Sequence, residues 1–311
     1  MRVEQKKQKK KRKWLRNTGI ILLILLIGIG AYAFSVYRSL TTAVETMHQP
    51  LERNKSDKRT EQVSLESKQP FSVLMLGVDQ RSGDKGRSDT MIVLAVNPNL
   101  NSVKMISIPR DTRTEIIGKG KIDKINHAYA YGNEEMAMKT VENFLDIPID
   151  YFVRVNMDGF KEIIDAVGGI TVNNDLDFSQ DGYHFPKGPV NLDGNKALAY
   201  IQMRYEDPRG DFGRQLRQRE IIQGILSEGA SLSSLTKYQS IFSALGNNVR
   251  TNLTFDQMNK IQRNYRSAAG NVQQMSIKGS GTKISGIYYY IVPDDEKARI
   301  QTDIKAQLEL K

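Results

Sequence analysis

The 311-residue chain has no cysteine, which excludes disulfides, thiol nucleophiles and thiolate metal sites together. A domain of this size does not need disulfides, so their absence is compatible with the outer face of a membrane. Histidine is nearly as scarce, with only His48, His127 and His184. None stands in an H-E-x-x-H pattern, and His127, within Ile125-Asn126-His127-Ala128-Tyr129, reads as a structural ring rather than a base. G-x-x-x-x-G-K-[ST], G-x-G-x-x-G and G-x-S-x-G are also missing, so nucleoside-triphosphate, dinucleotide and serine-hydrolase readings lose their markers. No internal repeat is present.

The net charge of +10 invites a nucleic-acid reading until it is located. Residues 1–16 hold nine Lys or Arg and one Glu, which leaves only +2 for everything after them. The basic character belongs to the tail, and a nucleic-acid-binding body is not supported. Residues 18–36 then run without a charge. At about 1.5 Å per residue, that run is long enough to cross a bilayer core of roughly 30 Å. The basic flank keeps the N-terminus in the cytoplasm, so the remainder is expected outside. A cleaved signal peptide competes, since Ala31-Tyr32-Ala33 resembles a cleavage site. The apolar run continues past those alanines, which favours an uncleaved anchor. The expected organisation is a basic tail (1–17), a transmembrane signal-anchor (18–36), a polar stalk or linker (37–69) helical near 39–47, and one extracellular domain (70–311).

With 39% apolar residues the chain can bury one core of the kind found in domains of about 200–250 residues. Buried strands are predicted over 71–78, 91–96 and 103–108, with further strands at 151–155, 170–172, 272–277 and 287–292. Helices are predicted over 134–145, 159–167, 195–203, 212–227, 235–245, 255–265 and 294–308. The second of these is stopped by Gly168-Gly169, and the sixth is introduced by Thr254 and Gln257 in capping-box spacing. Residues 173–193 read as a hairpin or long surface loop. The mixture argues a three-layer α/β/α domain around a central mixed sheet.

Three charged segments sit beside these strands. Between the first two lies Asp79-Gln80-Arg81-Ser82-Gly83-Asp84-Lys85-Gly86-Arg87-Ser88-Asp89-Thr90. Asp79 and Asp89 can stand at one end of the sheet, either as turn caps or as the two carboxylates that hold Mg²⁺ with phosphate oxygens. After the third strand comes Pro109-Arg110-Asp111-Thr112-Arg113, where Arg110 either reaches the same anion or pairs with Asp111 at the rim. The third segment runs from Arg204 through Pro208, Gly210, Asp211 and Gly213 to Arg214, Arg217, Gln218 and Arg219. On the helix it opens, Arg214 and Gln218 share a face and Arg217 lies beside them. Arginines in a first turn oppose the helix dipole unless an anion sits there, although a solvated face or an Asp211 cap would also produce the pattern.

At these residues the chain resembles the LytR-CpsA-Psr family, and within it the wall teichoic acid transferase group. The resemblance is carried by Leu76-Gly77-Val78-Asp79-Gln80-Arg81, Arg87-Ser88-Asp89-Thr90, Ser107-Ile108-Pro109-Arg110-Asp111-Thr112, Lys124-Ile125-Asn126-His127-Ala128-Tyr129, and Gly210-Asp211-Phe212-Gly213-Arg214-Gln215 with Arg217-Gln218-Arg219. It implies a phosphotransferase that moves an anionic glycopolymer from a polyprenyl-pyrophosphate lipid to a muramic acid hydroxyl of peptidoglycan, with the lipid tail in an apolar tunnel through the sheet. It assigns Mg²⁺ (or Mn²⁺) to Asp79 and Asp89, and pyrophosphate contacts to Arg87, Arg110, Arg204, Arg214 and Gln218, with Arg217 as an addition. Arg110, Asp111 and Asp89 are the expected catalytic residues, Asp111 or a carboxylate near the metal taking the hydroxyl proton. Gln202 stands where the family often has arginine, which leaves one expected phosphate contact without its side chain. A membrane-anchored pyrophosphatase and a non-catalytic lipid-phosphate binder are the rival readings.

Overall fold

The computed structural model describes residues 2–79, 86–229 and 234–310. It opens with α1 (Arg2–Met47), whose stretch from Arg16 to Met47 is long and apolar enough to cross a membrane. Ile20 through Ile27 are exposed on it, but its last turns bury Val44 and Met47 against Ile163, Ala244 and Val249.

Three antiparallel strands follow, β1 (Phe71–Asp79), β2 (Arg87–Asn97) and β3 (Ser102–Ser107), then a hairpin of β4 (Arg113–Ile116) and β5 (Lys121–Lys124). Next come α2 (His127–Leu145), β6 (Tyr151–Asn156), α3 (Met157–Val167), and the short strands β7 (Ile170–Asn174), β8 (Phe178–Gln180), β9 (Tyr183–Phe185) and β10 (Gly188–Leu192). The chain closes with α4 (Gly194–Gln202), α5 (Asp211–Gly229), α6 (Ser234–Asn248), β11 (Val249–Thr251), α7 (Phe255–Asn264), β12 (Val272–Ser276), the hairpin β13 (Ser280–Ile284) and β14 (Ile287–Ile291), and α8 (Asp294–Gln307).

The central sheet has the order β11-β6-β1-β2-β3-β12. β1 runs parallel to β6 and β3 parallel to β12, and the other pairs are antiparallel, so the sheet is mixed. Strand alternation sends Leu74, Leu76 and Val78 to one face, where they pack with Val141 of α2 and Ile300 and Ile304 of α8. The opposite face carries Val73, which packs with residues of α7, and Met75, which looks toward α3, α5 and α6. This is the expected three-layer α/β/α architecture.

The local signals behave as chemistry requires. Gly168, with φ of 98°, ends α3 and its N–H donates to Asp165 O, while Thr254 and Gln257 form the reciprocal capping box on α7. Other regions differ from expectation. Helix α2 starts at His127, seven residues before its predicted start, because Gly132 and Asn133 interrupt the helix with non-helical backbone and hide its first turns. Residues 173–193 resolve into two ribbons, β7 with β10 and β8 with β9. The expected stalk is a strap past Met47. Arg53 binds Glu142 through both terminal nitrogens at 2.6 and 3.1 Å, and Arg59 grips Asp150 at 2.7 Å from Nε and from Nη2. Leu65 is buried with Phe71.

Candidate functional site

The site is built where the β1–β2 ladder slips. Gly77 pairs with Thr90 and Val78 with Ser88, so Asp89 is the extra residue of a β-bulge. A bulge re-aims its side chain and breaks the ladder locally, which turns an aspartate inside a strand into a site residue. Asp79 ends β1 directly opposite Arg87, which is exposed at the rim. Both carboxylates therefore stand at one end of the sheet, as expected. Residues 80–85 of this loop, including Arg81 and Asp84, lie outside the described residues.

The segment after β3 closes over the bulge. Arg110 Nη1 lies 3.0 Å from Asp89 Oδ1, and its Nε lies 3.7 Å from Asp111 Oδ2. Lys124 Nζ holds the other Asp111 oxygen at 2.7 Å, and Asn126 Nδ2 donates to Asp89 Oδ1 at 3.4 Å. The backbone is laced as tightly as the side chains. Thr112 Oγ1 donates to Pro109 O at 2.6 Å, Asn126 N to Arg110 O at 3.3 Å, and Tyr290 N to Asp111 O at 2.8 Å. Burial works against the Arg110 charge, but Asp89, Asp111 and Asp211 outweigh it and raise its pKa. The rim pairing with Asp111 is thus the weaker contact, and the link to Asp89 the closer one.

Helix α5 supplies the third wall. Arg214 pairs with Asp211 one turn earlier and is 9% exposed. Burial lowers its pKa, Asp211 opposes that shift, and the neighbouring Arg110 and Arg204 charges add to it. Arg214, Arg110, Asp89, Asp211 and Arg204 are therefore near enough for their charges to be felt at this site, although they come from three separate stretches of chain. Two buried atoms here have no hydrogen-bond partner among the described residues: Arg214 Nε, a donor, and Asn126 Oδ1, an acceptor. Such atoms are costly unless something completes them. A donor short of an anionic oxygen and an acceptor short of a cation or hydroxyl, on two residues that each interact with Asp89, fit a phosphate with a hard metal ion. Asp79, Asp89 and Asn126 Oδ1 are all oxygen donors, the set that such an ion prefers. No cluster of three or more His, Asp or Glu ligands occurs among the described residues.

Arg217 has a different job from the one its spacing implies. It is 1% exposed, with Nη1 donating to Asp207 Oδ2 at 2.6 Å, Nε to Tyr200 O at 3.0 Å and Nη2 to Met203 O at 2.6 Å. Its donors are committed to the α4–α5 loop, so it is a strut rather than a pyrophosphate ligand. Asp207 also binds Arg209, and burial against it notwithstanding, the two guanidiniums hold its pKa down to about 2. Gly213 is required by this arrangement, since a Cβ there would collide with the Asp207 carboxylate. Arg219 is a second strut, its Nη1 donating to Ser107 Oγ at 2.9 Å and its Nε to Gln274 Oε1 at 2.7 Å. These contacts fix α5 against the sheet edge from which Arg110 emerges. Sequence reasoning assigned no role to Lys124 or Asn126, although both lie in a segment that carries the family resemblance.

Beside the charged cluster lies an apolar cavity of about 320 Å³. It is walled by Met75, Gly77 and Ile92 of the sheet, Phe160 of α3, Ile222 of α5 and Leu245 of α6. Thr90, next to Asp89, and Gln218, one turn beyond Arg214, also line it, so its wall reaches the charged residues. The expected tunnel through the sheet is instead a chamber on one of its faces. The other face of the sheet is covered by α2 and α8.

A family model described as the LytR_cpsA_psr family matches residues 34–306. The chain belongs to this family. It is 50% identical over 307 residues to the polyisoprenyl-teichoic acid–peptidoglycan teichoic acid transferase TagU of Bacillus subtilis, covering 99% of this chain and 100% of that one. The crystal structure of B. subtilis TagU superposes with a TM-score of 0.65 at 53% identity, covering 78% of this chain and 99% of that chain. A structure of TagT bound to LI-WTA gives a TM-score of 0.71 at 29% identity, with 85% of this chain and 100% of that chain covered. Family membership, the mixed sheet and the convergence of the charged segments agree with one another.

Proposed function

We propose that this protein transfers teichoic acid, an anionic glycopolymer, from a polyprenyl-pyrophosphate carrier to a hydroxyl of peptidoglycan muramic acid. The observation that carries the reading is the meeting of Asp89, Arg110 and Arg214 beside an apolar chamber. One ligand matches both halves, a diphosphate with a hydrocarbon tail. The near-identical length and 50% identity to a transferase of that name support the same conclusion. Lysines and arginines before the apolar helix support a domain outside the membrane, with the charged tail inside.

The acceptor oxygen attacks the glycopolymer-side phosphorus, the bridging P–O bond breaks, and polyprenyl phosphate leaves with the electron pair. Asp111 takes the hydroxyl proton. Its carboxylate is held by Lys124 and its backbone by Tyr290, so it is oriented before substrate arrives. Arg110 and Arg214 neutralise charge on the phosphates, and the buried Arg214 Nε, which has no hydrogen-bond partner among the described residues, is one donor for the leaving phosphate. Asp79 and Asp89 would hold Mg²⁺ or Mn²⁺, which supplies further charge neutralisation at the diphosphate when bound. Gln218 and Thr90 stand where the diphosphate meets its tail, and Arg87 and Arg204 complete the rim.

The test is the full chain in detergent with a lipid-linked polymer, nascent glycan strands and Mg²⁺. Covalent joining that stops on chelation is the expected result. Free polymer released without glycan would make the protein a hydrolase, and tight donor binding without any product would make it a carrier.

A further inference from the structure

The geometry points to an acceptor platform on the β13–β14 hairpin, where a glycan strand lies with its reacting hydroxyl at Asp111. This rests on the transfer reading and names the surface that reading leaves open. Strand β14 is joined to the catalytic segment itself, because Tyr290 N donates to Asp111 O and Thr112 bridges to Tyr290. Two and three residues away, Tyr288 is 45% exposed and Ile287 is 51% exposed, and Ile284 of the same hairpin is exposed as well, so the hairpin presents large apolar groups to solvent. Tyr288 is braced from behind. Gly281, on the paired strand, leaves room for its ring, since a Cβ there would come within 2.6 Å of Tyr288 Cε2. The ring therefore lies flat across β13 instead of standing free, the posture in which an aromatic face meets the C–H face of a sugar.

One cation stands over this ring and a second over its neighbour in the strand. Lys124 Nζ lies 5.9 Å from its centroid and 2.7 Å from Asp111 Oδ1, so one side chain spans platform and base. Arg113 lies over the adjacent Tyr289 ring at 5.9 Å. A rigid aromatic flanked by positive charge fits a polysaccharide bearing carboxylates, which is the chemistry of a nascent peptidoglycan strand with its peptide stems. It does not fit the prenyl tail, whose chamber lies beneath α5 and carries no such charges.

The test measures glycan binding and transfer separately. Uncrosslinked glycan strands are titrated, with no donor present, into the full chain carrying Arg110→Ala, which slows turnover, with and without Tyr288→Ala. A tenfold or greater loss of glycan affinity is expected, with Tyr288→Phe retaining it and the Kd for lipid-linked donor staying within twofold. In the active enzyme, Tyr288→Ala raises the glycan KM by the same factor. Unchanged glycan affinity, or donor and glycan affinities falling together, overturns the platform. Binding that depends on Tyr288 without any joining of polymer by the wild-type chain leaves the platform standing and sinks the transfer reading.

Discussion

Arg214 and Arg217 stand one turn apart on α5, are both nearly buried, and have opposite fates. Arg217 spends its guanidinium on Asp207, Tyr200 O and Met203 O. Arg214 has one carboxylate partner, Asp211, and an Nε with no partner among the described residues. A buried cation whose donors are saturated holds a loop; one left short beside another arginine waits for an anion. The difference lies in the loop from Met203 to Gly210, whose Met203 O and Asp207 carboxylate meet the Arg217 side chain, whereas Gly210 O meets Arg214 only at its backbone N–H.

Substitutions can break that comparison from either side. Arg217→Ala leaves the Asp207 carboxylate buried without its closest partner, and about 3–5 kcal/mol of stability should be lost in denaturant unfolding. A variant that unfolds like wild type but fails in transfer would move Arg217 back among the substrate ligands. Arg110→Ala should do the reverse, cutting kcat by about 10²–10³-fold while the Tm holds. Acid offers a test without mutation. Asp207 has a folded pKa near 2, below the ordinary carboxylate value. Its contribution is thus complete above about pH 4 and lost as pH falls through 2, a change of about 2 kcal/mol that Asp207→Asn should remove from the stability profile. The mildest expected effect is Arg214→Lys, which keeps a charge but not the Nε donor; transfer slowed about tenfold with unaltered stability would sharpen the distinction.

The legible parts of the molecule are those whose cause is local. Strands β1 to β3, the glycine stop after α3 and the Thr254–Gln257 cap depend on neighbours in sequence, and periodicity found them. Asp79, Arg110 and Arg214 stood out in the sequence because each lies at or near a boundary between a strand or helix and a loop, whereas Asp89 lies inside β2 and owes its position to the bulge, which no local pattern announces. The roles of Arg217 and Arg219 were not legible, because spacing on a helix does not say which distant carbonyl or carboxylate a side chain meets. The hairpin of β13 and β14 was half visible. Ile287 to Ile291 has strand composition, but Ser280 to Ile284 is exposed along its length and shows no apolar alternation. Residues 48–69 read as a polar linker because the carboxylates that secure Arg53 and Arg59 lie about ninety residues further on.

That strap changes what the first helix does. From Arg16 to Met47 it extends about 48 Å, against about 30 Å of hydrocarbon, and it runs without a break into the cluster that holds Val44 and Met47. A rod keyed into the globular body at one end, and apolar along the stretch before it, leaves no swivel between the two. Whatever tilts the apolar stretch turns the cluster of Asp89, Arg110 and Arg214 with it.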